Sequence, residues 1–156
     1  VSTVATLSGN ELRDLYRDLI LDHARHPRHF GTLDGATHEA FGVNPLCGDR
    51  LHLYLAIDDS GIVRDARFEG TGCAISVASA SLMTDTIIGM QRHDALAHQS
   101  VVTLALRGES AANELGKLAA LLGVREFPTR VKCATLAWHA LKSALDGRPG
   151  TVSTEH

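Results

Sequence analysis

The chain has 156 residues, 44% of them apolar and 21% charged, with a formal net charge of −3. That balance describes a globular protein long enough to bury a core, and its slight acidity excludes the basic surface that nucleic-acid binding needs. No apolar run approaches the roughly 20 residues that cross a bilayer, so no membrane partner is expected. The opening stretch VSTVATLSGNEL lacks the basic and apolar regions of a signal peptide, and a cytoplasmic location is expected by default. Three widely separated cysteines do not suggest a disulfide framework; a metal or redox role fits better.

After a polar leader over residues 1–9, Leu12, Leu15, Tyr16, Leu19 and Ile20 recur at helical spacing, with Asn10 as a plausible cap and Pro27 as the stop. His23, His26 and His29 straddle that proline and read as exposed polar residues, not as a metal triad. A Gly-rich connection follows, with a short strand near His38–Val43. Leu51, Leu53, Leu55 and Ile57 then alternate with His52, Tyr54 and Ala56, the period of a half-buried strand. Asp58-Asp59-Ser60-Gly61 is a turn, and Ile62 to Glu69 returns as the second arm of a hairpin. Residues 74–89 form a helix rich in Ala and Ser, which can approach a sheet closely, and Gly89 closes it.

Two further helices are expected over Asp94–Leu106 and Ala111–Leu122, the second ended by Gly123. An irregular connector (124–130) leads to a last helix over Val131–Leu145, and residues 148–156 read as a frayed tail. No internal repeat or long linker divides the chain, so one domain over 1–156, with its core at about 10–147, is expected. The order of elements implies an α+β fold: a small antiparallel three-stranded sheet with helices packed on one side.

Each cysteine falls at a turn or element start. Cys47 lies in Asn44-Pro45-Leu46-Cys47-Gly48-Asp49-Arg50, Cys73 follows Gly70-Thr71-Gly72, and Cys133 follows Arg130-Val131-Lys132. On this reading Cys73 and Cys133 each occupy the first turn of a helix, where the positive end of the helix stabilises a thiolate. Cys47 and Asp49, two apart, would share a face if the backbone there is extended. Together the three thiols and Asp49 would make a four-ligand site, with Arg50, Arg130 and Lys132 beside it in sequence. Mainly thiolate tetrahedral sites select zinc or iron–sulfur clusters. Spacing alone leaves the other reading open, three cysteines that are simply small buried apolar residues.

The segments NPLCGDRLHLYL, FEGTGCAISVASASLMTD and FPTRVKCATLAWHAL resemble the three cysteine motifs of the IscU/NifU-like assembly proteins, and specifically their SufU branch. LYRDLILDHARHPRHFG resembles that branch's first helix and the D-H-x-x-x-P-R turn after it. The resemblance runs from about Leu12 to about Leu145 and implies an IscU-like (SufE/NifU-like) fold. It also implies a metal site of Cys47, Asp49, Cys73 and Cys133, typically holding zinc, and a role as a zinc-dependent sulfurtransferase. In that role Cys47 would accept persulfide sulfur from a SufS-type cysteine desulfurase, with downstream cluster scaffolds as further partners. Arg130 is a second candidate, for balancing thiolate charge or meeting the partner.

Lys132 stands where IscU proteins carry a histidine, and Phe127-Pro128-Thr129-Arg130-Val131-Lys132 replaces their chaperone-recruiting Leu-Pro-Pro-Val-Lys segment. These departures point to sulfur transfer. The alternatives are a scaffold holding a transient [2Fe–2S] cluster at the same residues and a non-catalytic zinc-stabilised interaction module.

Overall fold

Alternation from Asp49 to Ile57 puts Leu51, Leu53 and Leu55 on one face of a strand, and all three are buried. In a computed structural model of the chain, residues 9–109, 115–147 and 151–153 are described, with side chains from residue 13 onward. The order is α1 (Gly9–Arg25), β1 (His38–Asn44), β2 (Asp49–Ile57), β3 (Val63–Thr71), α2 (Ala74–Ile87), α3 (Arg92–Leu106), a run of 3₁₀ turns (Gly116–Glu126), α4 (Pro128–Leu145) and β4 (Thr151–Ser153).

The sheet corrects one expectation. β1, β2 and β3 are antiparallel, but β4 adds a fourth strand, parallel to β1, to give the order β3-β2-β1-β4. Phe41, Gly42 and Val43 pair with Thr151, Val152 and Ser153, so part of the expected tail closes the open edge of β1. Residues 148–150 and 154–156 lie outside the described residues.

The apolar face of the sheet meets α2 and α4, which pack on β3 and on β1 and β2 respectively. α2 is buried almost all round, and its Ala78, Ser79 and Ala80 admit a close neighbour. That neighbour is α4: Ser79 Oγ donates to the Ala134 carbonyl at 2.6 Å and accepts the Trp138 indole N–H at 3.1 Å. The pair satisfies the polar atoms of a sealed core, as burial requires. Trp138 has no exposed surface, and truncating such a residue costs about 3–5 kcal/mol. On the other face of the sheet, Phe41, His52 and Tyr54 stack, and His52 Nε2 lies 2.8 Å from Glu39. His52 thus faces away from the core, as its place in the alternation predicts.

Other expectations shift. Helix α1 already includes Asn10 by its backbone, so this residue is not the cap, and its side chain lies outside the described residues. His23 is buried, not exposed: its Nδ1 meets the Ser81 hydroxyl of α2 at 2.7 Å, and the Arg28 N–H donates to the same oxygen at 2.8 Å. Of the expected helix Ala111–Leu122, residues 111–114 lie outside the described residues and the rest winds as 3₁₀ turns through Gly123 to Glu126. Helix α4 starts at Pro128, three residues before the expected Val131, because proline is suited to the first helical turn.

Candidate metal centre

Asn44 and Asp49 are the last partners of the β1–β2 ladder, facing one another across the strands. The four residues between them form a tight loop in which the Asn44 carbonyl accepts the N–H groups of Cys47 (3.3 Å) and Gly48 (2.8 Å). Gly48 takes φ +72°, a conformation that glycine adopts without strain. Cys47 is therefore carried on a turn, not on extended backbone, and stands exposed at its tip. Asp49, at the base, is only 1% exposed.

β3 ends opposite this loop, and Cys73 forms the N-cap of α2, as expected. Its backbone N–H donates to Asp49 Oδ1 at 2.9 Å. A side chain at Gly72 would collide with that same carboxyl, so glycine lets β3 and the acid pack together. Cys133 enters from α4. Because α4 begins at Pro128, Cys133 sits in its second turn and lacks the expected helix-end stabilisation.

The sulfurs of Cys47 and Cys133 are 3.5 Å apart, and one ligand atom each from Cys47, Asp49 and Cys133 lie within 4.8 Å of one another. Cys73 does not join that group, although its thiol is within hydrogen-bonding reach of Cys133. Sulfurs bound tetrahedrally at about 2.3 Å from zinc stand about 3.8 Å apart, so the Cys47–Cys133 spacing suits a shared ion. Burial pushes the Cys133 thiol far above its ordinary range, and hydrogen bonds with Asp49, Cys73 and Cys47 push the same way. A divalent cation at this point would relieve that cost, since buried anionic groups need a counter-charge. The donor set fits the ion.

Two further groups complete the site. Asn44, wholly buried, donates from Nδ2 to Asp49 Oδ2 at 3.1 Å and to Cys133 Sγ at 3.6 Å. No role for Asn44 follows from its sequence motif alone; the signal was a four-residue loop that sets it opposite Asp49. Arg130 is exposed, and hydrogen bonding to Cys133 with the charges of Cys73 and Cys133 raises its pKa further. The site holds Arg130, whereas Arg50 lines a groove on the outer sheet and Lys132 a cleft with Thr135 and His139.

Comparison with known proteins identifies the family. The model of the NifU-like N terminal domain matches residues 15–150. The chain is 43% identical over 139 residues to the iron–sulfur cluster assembly scaffold protein IscU of Streptococcus pyogenes serotype M1, covering 87% of this chain and 86% of that protein. It is 42% identical over 141 residues to the zinc-dependent sulfurtransferase SufU of Bacillus subtilis (strain 168), covering 89% and 95%. The crystal structure of the N-terminal part of a nitrogen-fixing NifU-like protein from Brucella abortus superposes with a TM-score of 0.77 at 27% identity, covering 87% of this chain and 95% of that one.

Proposed function

Because the chain belongs to the family of NifU-like N-terminal domains, we propose that it serves iron–sulfur cluster biogenesis as a zinc-dependent sulfur carrier. Cys47 accepts sulfur from a cysteine desulfurase, and Cys47, Asp49, Cys73 and Cys133 hold the metal. The observation that carries this reading is the pairing of an exposed Cys47 sulfur with a buried Cys133 sulfur 3.5 Å away. A similar relative bears the name zinc-dependent sulfurtransferase. Zinc bound by these residues would keep the thiols deprotonated and shielded from oxidation.

The chain's own residues supply the rest. The Cys47 thiolate attacks the outer sulfur of the donor's persulfide; a new S–S bond forms on Cys47, and the donor's thiolate leaves with the electron pair. A hairpin tip flanked by Pro45 and Gly48 lets Cys47 meet a partner while the ladder holds Asp49 in place. Arg130 neutralises part of the thiolate charge and lies where a docked partner would meet it. Leu46 and Phe127, both 57% exposed, present apolar surface at the ends of the elements that carry Cys47 and Cys133.

The test is to measure metal in freshly purified protein and then desulfurase turnover with wild type and Cys47→Ala. Stoichiometric zinc and loss of stimulation in the variant are expected; a fully active variant eliminates the acceptor role. The second reading, a scaffold for a transient [2Fe–2S] cluster, draws on the name of the Streptococcus relative. It predicts cluster formation on anaerobic reconstitution and transfer to an apo-protein.

A further inference from the structure

We propose that the cleft between α4 and β4 binds a small phosphate monoester, a ligand class separate from the metal and sulfur chemistry of the cysteine centre. Lys132, Thr135 and His139 recur on α4 at i, i+3 and i+7, so they share one face of that helix. Cys133 lies one residue on, and so about 100° round the helix from Lys132. Val152 and Ser153 of β4 form the other side of the cleft, and Arg107, the C-cap of α3, joins the lining. The space enclosed is about 340 Å³, which suits a small ligand.

Charge selects the kind of ligand. The chain as a whole has a net charge of −3, yet among the described residues this lining holds Arg107, Lys132 and His139 and no carboxylate. A recess lined by one sign of charge concentrates ions of the other sign. Arg107 offers a planar fork, Lys132 a compact ammonium, and His139 and Ser153 one donor each. These donors come from three separate elements. A tetrahedral phosphoryl group turns three oxygens in different directions and can meet all three, whereas a planar carboxylate has two. Lys132, His139 and Ser153 already interact within the chain, and the Thr135 hydroxyl donates to the Lys132 carbonyl at 3.3 Å. The anion therefore enters a lining that internal contacts have already ordered, which lowers the entropy cost of binding. Val131 and Val152, both half-buried, add an apolar wall that bare phosphate would leave uncovered. An ester with a short aliphatic group covers it.

The test titrates the full chain, as purified, with butyl phosphate, inorganic phosphate and butyrate at constant ionic strength, so that screening stays equal. Backbone amide shifts are followed by NMR. Butyl phosphate should give saturable shifts centred on Arg107, Thr135, His139 and Val152. Inorganic phosphate should bind about tenfold more weakly, for want of methylene groups to bury, and butyrate more weakly than butyl phosphate. Arg107→Gln and His139→Gln should each weaken butyl phosphate binding by about fivefold or more, the scale of one lost hydrogen bond. Arg107 is exposed, so its variant keeps the fold, and thermal melts check both. The proposal is overturned if butyl phosphate gives no saturable shift, if the shifts centre elsewhere, if all three anions bind equally, or if both variants keep wild-type affinity.

Discussion

Cys47 and Cys133 bring their sulfurs to 3.5 Å from each other across two elements far apart in the chain, one at a solvent-exposed loop tip and the other with no exposed surface. Substituting them should therefore have unlike effects. Cys133→Ser places a hydroxyl in a buried position packed by α4 and should lower thermal stability and abolish tight metal binding. Cys47→Ser, at the tip of a turn, should leave the fold within about 0.5 kcal/mol of wild type while ending sulfur acceptance. Thermal melts with metal analysis on both variants check this; equal destabilisation would contradict it.

Gly72 tests how closely β3 packs against the acid. A methyl group there would lie 3.0 Å from the Asp49 Cγ and 3.1 Å from its Cβ, besides overlapping Oδ1. Gly72→Ala should cost about 1–3 kcal/mol as an overpacked site. By displacing Asp49, it should also weaken zinc binding by about 10- to 100-fold. Competition with a coloured chelator measures the second effect, and wild-type affinity would mean that Asp49 is not a ligand.

Arg130 is exposed, so its removal should barely change stability. Arg130→Ala should retain zinc but accept sulfur more slowly, and Arg130→Lys should restore part of the rate by returning the charge without the planar fork. Single-turnover transfer from a persulfide-charged desulfurase gives the comparison. Identical rates for all three proteins would remove Arg130 from the site.

The buried His23 gives the fold a pH dependence. Burial holds its imidazole below the ordinary 6.5, Arg28 and Lys117 push the same way, and Asp22 and Asp85 oppose them. Below about pH 6.5 the unfolded chain binds a proton there that the folded chain resists, so stability falls as the pH drops through that range. Urea unfolding at several pH values should show a steeper acid loss for wild type than for His23→Asn. Parallel curves would show that His23 is not held neutral.

Much of this architecture was legible from the residues, and the failures have physical causes. The β2–β3 hairpin and the buried α2 follow from alternation around a turn cluster and from a run of small residues. The start of α4 was missed although Pro128 announces it, because Phe127-Pro128-Thr129-Arg130 carries no apolar periodicity. Three residues of β4 are too few for a periodic signal, and their pairing depends on an edge more than 100 residues away. His23 looked exposed because its partner, Ser81, is 58 residues distant. In the site, the family motifs pointed to the cysteines and Asp49, whereas spacing alone left a shared centre undecided. Asn44 was invisible as a participant until strand register placed it opposite Asp49.

The most direct test is the location of sulfur after zinc-loaded protein is incubated with a cysteine desulfurase and cysteine, read by mass spectrometry of the three cysteine-containing peptides. One added sulfur on the Cys47 peptide, absent from Cys47→Ala, is the predicted result. Sulfur found on Cys73 or Cys133 instead, or acquired equally well by the variant, would contradict the account.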